Sequence, residues 1–337
     1  MLENRKIVFV KAWEARSQTE NLDDTKIPSD SVLLKKHYSL ISTGTELACL
    51  GGMESWFPFP GVPGYCCVGE IVKKGDGVDK FKIGDIIFCY GNHSLYQIIK
   101  AEGLFLPAPK GVDEKFVSFA RMASVAATAV RNSNIEWGDY VAVTGQGLVG
   151  NMAMQLAKLQ GAKVIAIDVL DSRLEFSRIC GADLIVNSAK ENVIDKIKTF
   201  TKGEMVSTLI EASGFPPVEI EAIQYIAKGG ELLLLGSPRG KFETDAVPFL
   251  LKMHVCSSDV TIKGAHEWRY PTAANPFVKH SIERNTRIIF DLMAEGRLIY
   301  KPLLTEVASP SDSFDVYNNL RNNKDRYMGI VFDWQKA

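Results

Sequence analysis

The hydrophobic and polar positions divide the chain into two regions. Up to about residue 118, short apolar runs alternate with glycine- and proline-containing segments: KIVFVKA, SVLLKKHYSLI, VGEIVKKG, KIGDIIFCY and LYQIIKA. Short runs rich in β-branched residues and bounded by turn-forming residues are typical of strands. The pattern therefore predicts a compact β unit, built as a barrel or a sandwich.

From about residue 119 the pattern changes to strands that alternate with helices. The apolar runs are YVAVTG, KVIAID, LIVNS, STLIEASG, ELLLLGS and VTIKG, and helical periodicity separates them, for example over 148–159 and 171–180. This alternation predicts an α/β fold with a doubly wound, parallel, six-stranded sheet. After Gly264, a loop precedes a predicted helix over 277–294 and a last strand, GIVFDW, which we expect to return to the first domain.

Composition narrows the class of protein. The 337 residues are 46% hydrophobic and 23% charged, which suffices for two globular units and excludes a disordered or fibrous chain. A net charge of −1 without a long basic run argues against nucleic acid or a membrane surface as a partner. The six cysteines show no repeated Cys-x-x-Cys spacing, and the N-terminus has no signal-peptide core, so we expect a cytoplasmic protein.

A glycine-rich motif follows the strand YVAVTG. Gly145, Gly147 and Gly150 have the spacing G-x-G-x-x-G and open a predicted helix. In a dinucleotide-binding turn, the first glycine permits the tight bend, the second lets the backbone approach a pyrophosphate, and the third lets helix and strand pack closely. The helix that begins with Leu148 and Val149 would offer N–H groups and its positive dipole end to the phosphates.

The choice between the two dinucleotides depends on Asp168, which ends the next strand. A carboxylate there can accept hydrogen bonds from both ribose hydroxyls and repels a 2′-phosphate, so NAD is favoured over NADP. Arg173 complicates this choice, because a guanidinium could accommodate a phosphate or stack beside the adenine. Four residues after two further strands are expected to line the same crevice, unless they are ordinary turn residues: Ser213, Gly214, Gly236 and Ser237.

Ahead of this motif, GEIVKKGDGVDKFKIGDIIF resembles the signature G-x-V-x-x-V-G-x-x-V-x-x-F-x-x-G-D-x-V of the medium-chain dehydrogenase/reductase superfamily. With STGTEL, VPGY and the glycine motif, the resemblance covers nearly the whole chain. It implies a GroES-like catalytic domain, residues 1–118 and 266–337, around a Rossmann domain, residues 119–265. ISTGTEL followed by PFPGVPGY is similar to the branch containing bacteriochlorophyllide, sugar and polyol dehydrogenases. The resemblance also implies a homo-oligomer, with the last Rossmann strands as a common dimer edge.

The same resemblance indicates a lost metal site. Zinc-dependent members bind the catalytic metal through Cys in C-G-T-D, His in G-H-E, and a later Cys or Glu. Here the corresponding motifs read T-G-T-E and G-Y-C, so Thr43 and Tyr65 replace the first two ligands. Aligning RMASVAATAV with E-P-L-x-V-A places Arg121 at the third position, or Met122 if the alignment slips by one residue. The four-cysteine structural zinc lobe is also absent.

The remaining ligand types offer little to rebuild a zinc site. Cys66 and Cys67 are adjacent, and neighbours in an extended strand point to opposite faces, so at most one could face a metal. Glu46, Cys89 and His93 are the other candidates, but their spacing is not that of a zinc site.

Without zinc, side chains must take the hydroxyl proton and stabilise the developing alkoxide. If the alignment holds, Thr43, Tyr65 and Arg121 converge where the metal would lie. Arg121 would supply fixed positive charge and lower the pKa of Tyr65, which would relay the proton. Alternatively, Tyr65 is an aromatic residue of the pocket wall and Arg121 a surface ion-pair partner.

Other residues could contribute to proton transfer or substrate binding. By the resemblance, Thr45 matches the hydroxyl that passes protons in zinc-dependent relatives, and Glu46 matches a carboxylate close to their metal ligands. His93 and His266 lie in predicted loops, and either could be the general base or a solvated side chain. The aromatic residues of MESWFPFPG could stack on a sugar ring or pack within their own loop.

These observations leave three functions open. The leading interpretation is an NAD-dependent, zinc-independent dehydrogenase for a secondary alcohol of a sugar, glycoside or polyol. The second is an NADPH-dependent quinone or enoyl reductase, which Asp168 disfavours. The third is a dinucleotide-binding sensor or structural partner that has lost catalysis, which the retention of Thr45 and Glu46 disfavours.

Overall fold

The two sequence regions form two units in a computed structural model, which describes residues 1–337. The first unit comprises Met1–Arg121, Thr272–Ala274 and Thr286–Ala337, and the second comprises Met122–Pro271 and Asn275–Asn285. Residues 119–121 therefore belong to the first unit, and 266–271 and 275–285 to the second, which differs from the predicted limits. Local pairing contributes to this division, since the Ile282 N–H donates to the Pro271 carbonyl within the second unit, at 2.9 Å.

The strands, in chain order, are β1 (Leu2–Lys11), β2 (Glu14–Leu22), β3 (Ser31–Leu40), β4 (Cys67–Lys74), β5 (Ile86–Cys89), β6 (Tyr96–Lys100), β7 (Phe105–Pro107), β8 (Tyr140–Thr144), β9 (Lys163–Asp168), β10 (Leu184–Asn187), β11 (Val206–Glu211), β12 (Ile226–Leu234), β13 (Thr261–Gly264), β14 (Leu304–Ala308) and β15 (Gly329–Asp333). The α-helices are α1 (Thr43–Leu50), α2 (Glu114–Val117), α3 (Phe119–Asn132), α4 (Leu148–Leu159), α5 (Asp171–Ile179), α6 (Val193–Phe200), α7 (Pro216–Ala222), α8 (Val247–His254), α9 (Ile282–Ala294) and α10 (Ser313–Asn322). None of the helices combines the length and the hydropathy that a membrane span requires.

The first unit is β-rich. Its seven-stranded sheet has the order β14-β15-β3-β4-β5-β7, with β6 also paired to β3, and β1 and β2 form a separate antiparallel pair. The strand β15 lies antiparallel beside β3, so the end of the chain completes the sheet that the N-terminal region begins. Its apolar core includes Ile7, Phe9 and Phe332, all fully buried.

The second unit contains the predicted parallel sheet, which confirms the fold class. Its six strands have the order β10-β9-β8-β11-β12-β13, and every neighbouring pair is parallel. The central strands are buried along most of their length, in agreement with their nearly continuous apolar sequences. Because all six strands run in the same direction, their carboxyl ends meet at one edge of the sheet, where Asp168 and Glu211 lie.

One predicted helix boundary is wrong. The periodicity suggested a helix from Phe277, but α9 begins at Ile282. Residues 275–281 have no helical structure, and Asn275 forms an isolated bridge with Val278. The Ser281 hydroxyl accepts a hydrogen bond from the Arg284 N–H at 3.0 Å, which caps the helix five residues later than predicted.

Candidate active site and dinucleotide crevice

The glycine turn between β8 and α4 shows two kinds of glycine. Gly145 has φ +81°, and a Cβ on it would lie 2.7 Å from the Ser213 nitrogen. A Cβ on Gly150 would lie 1.8 Å from the Gly145 carbonyl oxygen. Both positions therefore require glycine for the packing of the protein itself.

Gly147 differs from the other two glycines. It precedes α4 with an ordinary extended conformation, and a Cβ there would meet no atom within 4 Å. The folded protein alone does not explain glycine at this position, whereas a ligand that approaches the helix N-terminus does. The turn therefore fits the phosphates of a dinucleotide.

Asp168 is held in a defined orientation at the end of β9. It is 6% exposed, and its two carboxylate oxygens accept hydrogen bonds from the Gln146 N–H at 2.6 Å and the Leu170 N–H at 2.9 Å. Each oxygen keeps a second acceptor site, so the carboxylate can also receive ribose hydroxyls. Arg173 lies 3.8 Å from the same carboxylate as an ion-pair partner.

A buried acid that the sequence prediction missed organises the turn after β11. Glu211 is fully buried and accepts hydrogen bonds from the Ser213 N–H at 2.8 Å, the Gly214 N–H at 3.0 Å and the Thr144 hydroxyl at 3.3 Å. The Ser213 hydroxyl also donates to it. The sequence signal was present, since an acidic residue ends the apolar run STLIE. Glu211 thus fixes Ser213 and Gly214 at the carboxyl edge of the sheet.

The two turns predicted to line the crevice lie against each other. Gly214 has φ +64°, and a Cβ on it would lie 2.4 Å from the Ser237 carbonyl oxygen. A Cβ on Gly236 would lie 2.3 Å from the Gly214 nitrogen. These glycines are required by the close approach of two backbone segments, and their contact with a cofactor stays a prediction.

In the first unit, the candidate catalytic residues begin at the N-terminus of α1. Thr43 and Thr45 lie in its first turn, partly buried, and Glu46 follows with 2% exposure. The Glu46 side chain turns back and accepts a hydrogen bond from the Ser42 N–H at 2.7 Å. As in a capping box, this contact satisfies an N–H group that the helix itself leaves open.

Glu46 has two further hydrogen-bond donors, both of them side chains. The His93 Nε2 lies 3.0 Å from Glu46 Oε2, and the Tyr317 hydroxyl donates to the same oxygen. All three side chains are 2% exposed or less. Burial and the Glu46 charge raise the pKa of Tyr317 well above its ordinary value. This tyrosine therefore remains a hydrogen-bond donor to the carboxylate.

The other ring nitrogen of His93 is also occupied. Its Nδ1 lies 2.7 Å from the Ser39 hydroxyl, which accepts a hydrogen bond from the Trp334 indole at 2.8 Å. With its oxygen accepting from tryptophan, Ser39 can donate to Nδ1, which leaves the ring proton on Nε2, facing Glu46. His93 is fully buried, so the proposed role as a general base in contact with substrate is wrong. It positions Glu46 instead.

Tyr65 and Arg121 come together as predicted from the alignment. The Arg121 guanidinium carbon lies 5.3 Å from the centre of the Tyr65 ring and 5.2 Å from that of Tyr90. The Tyr65 hydroxyl donates to the hydroxyl of Ser42, the neighbour of Thr43, at 2.6 Å. Arg121 is 1% exposed, and the alternative of a surface ion pair is therefore wrong.

The expected effect of Arg121 on Tyr65 is also wrong in its net direction. Burial is the largest influence and raises the pKa of Tyr65 to about 12, although the Arg121 charge and the hydrogen bond with Ser42 act in the opposite sense. Tyr65 is therefore protonated near neutral pH and acts as a hydrogen-bond donor. Burial similarly raises the pKa of Tyr90, a residue that the sequence prediction missed.

Known proteins share this architecture. Residues 149–274 match the family model described as "Zinc-binding dehydrogenase". D-guloside 3-dehydrogenase from Escherichia coli (strain K12) is 34% identical over 276 residues, which is 80% of this chain and 77% of that protein. The chain belongs to the medium-chain dehydrogenase/reductase superfamily.

A further sequence comparison agrees with this assignment, and a solved structure shares the fold. Sorbitol dehydrogenase from Bacillus subtilis (strain 168) is 28% identical over 308 residues, or 81% of this chain and 80% of that protein. The crystal structure of galactitol-1-phosphate dehydrogenase from Escherichia coli superposes with a TM-score of 0.83 and 18% identity, covering 98% of this chain and 99% of the other. At this identity, the structural likeness establishes the fold alone.

The zinc ligands of this superfamily have no equivalent set here. A guanidinium has no lone pair for a metal, and Arg121 lies beside Tyr65. No group of three or more His, Cys, Asp or Glu side chains is arranged to hold an ion. The donor set does not fit zinc.

His266 and the aromatic loop of MESWFPFPG are the two remaining predicted elements. His266 is exposed in the second unit, where its Nδ1 accepts the Trp268 N–H at 3.4 Å. In the first unit, Phe57 contacts both Trp56 and Phe59 edge-on and also packs against Phe9 of the core. Trp56 is 64% exposed, so the tip of this aromatic loop faces solvent.

The glycine turn of this superfamily member yields a matched pair of variants. Gly147→Ala places a methyl group in open space, so we expect little change in the free energy of unfolding but a roughly tenfold loss of affinity for the dinucleotide. Gly150→Ala must displace backbone, and we expect it to lower the free energy of unfolding by about 2–3 kcal/mol. Denaturant unfolding measures the stability, and calorimetric titrations with NADH and with NADPH measure the affinity. Unchanged affinity for both dinucleotides in Gly147→Ala would contradict the assignment of this turn to the phosphates.

Proposed function

We propose that the protein is an NAD-dependent dehydrogenase that interconverts a secondary alcohol and a ketone of a sugar, glycoside or polyol, without catalytic zinc. The observation that carries this proposal is the buried guanidinium of Arg121 stacked on Tyr65, at the positions where zinc-dependent members of the superfamily have metal ligands. A fixed cation beside a hydroxyl donor can provide the charge stabilisation and the proton transfer that the metal would otherwise provide.

The substrate class draws on the relatives. D-guloside 3-dehydrogenase and sorbitol dehydrogenase are named for a glycoside and a polyol, and the first is 34% identical to this chain. Both compounds in these names contain several hydroxyl groups. The solvent-facing Trp56 supports the same class, since an aromatic ring can stack on the apolar face of a sugar.

The proposed cofactor is NAD, held at the turn of Gly145, Gly147 and Gly150 and by Asp168. When bound there, this cofactor would supply the hydride acceptor for the alcohol carbon and, in its reduced form, the hydride donor for the ketone. Asp168 supports NAD over NADP, because its anchored carboxylate would repel a 2′-phosphate. Arg173 offsets little of this charge at 3.8 Å, since it is partly exposed.

In this mechanism, the substrate hydroxyl gives its proton to the Tyr65 oxygen as the Tyr65 proton passes to the Ser42 hydroxyl, and the Ser42 hydroxyl releases its own proton to water. In the reverse direction, Tyr65 donates a proton to the carbonyl oxygen. Arg121 stabilises the negative charge that develops on the substrate oxygen. Glu46 touches neither reacting atom, but it holds the Ser42 backbone and so keeps the partner of Tyr65 in place.

The catalytic assignment is tested with two substitutions. We expect Tyr65→Phe to reduce kcat by about 10²–10⁴-fold, because it removes the proton donor, and Arg121→Met to reduce it by about 10²–10³-fold, because it removes the cation. NADH formation from a panel of sugars, methyl glycosides and polyols provides the assay. Tyr96→Phe, another partly buried tyrosine of the first unit, is the matched control and should retain full activity. Near-normal turnover in Tyr65→Phe would show that Tyr65 is only a wall residue.

The cofactor assignment is tested at Asp168. We expect the wild type to bind NADH more tightly than NADPH. In Asp168→Ser, the kcat/KM with NADP divided by the kcat/KM with NAD should rise roughly tenfold or more, because the repulsion between the carboxylate and the 2′-phosphate is removed. Thermal-shift titrations with both reduced cofactors provide an independent measurement. A wild type that prefers NADPH and reduces quinones would support the reductase alternative. Tight NADH binding without turnover of any compound in the panel would support the alternative of a dinucleotide-binding sensor that has lost catalysis.

We further propose a homo-oligomer formed at the β13 side of the second unit. The strand β13 pairs with β12 on one side only, and the nearby helix α8 has no buried residue. Its Val247, Leu250 and Leu251 are 57%, 53% and 48% exposed. An apolar surface of this kind beside an open strand edge favours association with a second copy.

The oligomer is tested by light scattering after gel filtration. We expect Leu250→Glu to shift the wild-type oligomer towards the monomer, because a charge replaces an apolar contact. Ile179→Glu, at the end of α5 and 47% exposed, is the control and should leave the mass unchanged. A monomeric wild type would refute the proposal.

A further inference from the structure

Two cysteines face each other across neighbouring strands of the first unit. Cys67 on β4 and Cys89 on β5 are register partners in an antiparallel pair, and their sulfur atoms lie 3.7 Å apart. Both are buried, with 0% and 1% exposure, among the aliphatic residues of that part of the core. Directly opposed antiparallel residues have Cα atoms about 4.5–5.5 Å apart, within the range of a disulfide. The sulfur atoms need only approach by roughly 1.7 Å to reach the ~2.05 Å bond length.

A buried lysine lies beside this pair. Lys36 is fully buried, and its ammonium group donates to Asn92 Oδ1 at 2.9 Å, Ser94 Oγ at 3.0 Å and Gln97 Oε1 at 2.7 Å. A Cβ on Gly91 would lie 2.5 Å from the Cys67 sulfur and 3.3 Å from Lys36 Cε, which places both around the same small space. The hydrogen-bond partners of Lys36 named here are neutral oxygens. An adjacent thiolate would therefore supply the negative charge that balances the buried ammonium group.

The two thiols are electrostatically unequal. A hydrogen bond from Cys89 and the charge of Lys36 lower the pKa of Cys67, whereas the same hydrogen bond and burial raise that of Cys89. Burial lowers the pKa of Lys36 to about 8. Lys36 and the Cys67 sulfur border the same space beside Gly91, so Cys67 is the nucleophile of the pair, and Cys89 is placed to resolve an intermediate formed on it.

The neighbouring cysteine provides an internal contrast. Cys66 is equally buried, but its sulfur lies 3.8 Å from the Leu40 carbonyl oxygen, and burial raises its pKa. Burial also raises the pKa of the Cys180 thiol in the second unit, to about 11. Burial alone thus disfavours the thiolate in this protein, whereas Cys67 also has an opposed thiol and Lys36 beside it.

We propose that Cys67 and Cys89 form a redox-sensitive dithiol that a peroxide converts into a cross-strand disulfide. The Cys67 thiolate attacks one peroxide oxygen, which breaks the O–O bond, oxidises Cys67 to a sulfenic acid and, with one proton, releases water or an alcohol. The Cys89 sulfur then attacks the Cys67 sulfur, the thiol proton leaves with the sulfenic hydroxyl as a second water, and the S–S bond forms. The two thiols together lose two electrons, which reduce the peroxide.

The test uses the full chain with Cys256→Ser, because Cys256 is the exposed cysteine and would react first. After incubation with hydrogen peroxide, we expect an intact mass 2 Da lower and two fewer titratable thiols in denaturant. Trypsin cleaves after Lys36, Lys73, Lys82 and Lys100, so the disulfide should join peptides 37–73 and 83–100. Fragmentation then distinguishes Cys67 from the other cysteines of the first peptide.

Three variants sharpen the result. With Cys89→Ala, we expect the reaction to stop at a sulfenic acid that dimedone traps at position 67 and not at position 66. Lys36→Met should slow formation of the disulfide at least tenfold, and Cys66→Ala should leave its rate unchanged. The mapping of the parent chain does not depend on the folding of these variants. Intact thiols at 67 and 89 after prolonged peroxide treatment, or a disulfide that joins other cysteines, would overturn the proposal.

Discussion

The buried carboxylate of Glu46 is the constraint on which the first unit depends. Removing such a charge from water costs several kcal/mol unless hydrogen bonds replace the lost hydration. Three donors do so here: the Ser42 backbone, His93 and Tyr317. They come from the start of α1, from the loop after β5 and from α10, so one buried side chain joins three distant parts of the chain.

The second unit follows the same physical principle with a different acid. Glu211 is fully buried and is stabilised by the N–H groups of Ser213 and Gly214. In each unit, a carboxylate with no assigned contact to a ligand orders the backbone that carries the candidate site. Rigid support of this kind matters for catalysis, because small displacements of reacting groups reduce the rate strongly.

The predictions succeeded where local pattern determines structure. The six parallel strands have long apolar runs, and the glycine spacing at Gly145 and Gly150 reflects backbone contacts that exclude any Cβ. The strand β2 was missed because its sequence, EARSQTENL, is mostly polar and it pairs only with β1. The start of α9 was misplaced because the cap at Ser281 is a single hydroxyl contact that hydrophobic periodicity does not register.

The electrostatic predictions failed where burial decides. The alignment brought Tyr65 and Arg121 together, but the sequence gives no measure of desolvation, which outweighs the guanidinium charge at Tyr65. Likewise, a histidine in a loop is expected to be solvated, whereas His93 lies inside the unit with both nitrogens engaged. Such properties depend on residues far away in the chain, which a local pattern does not contain.

One of these distant contacts bears on how the protein matures. Trp334 donates to Ser39, which orients His93, and Tyr317 donates to Glu46, so residues translated late complete a network begun by the first hundred. Since domains fold as units during synthesis, the second unit, whose last residue is Asn285, is complete before Tyr317 leaves the ribosome. Until then, the Glu46 side chain lacks one of its hydrogen-bond donors and β3 lacks its neighbour β15. The N-terminal region therefore completes its hydrogen bonding only after the whole second unit has been synthesised.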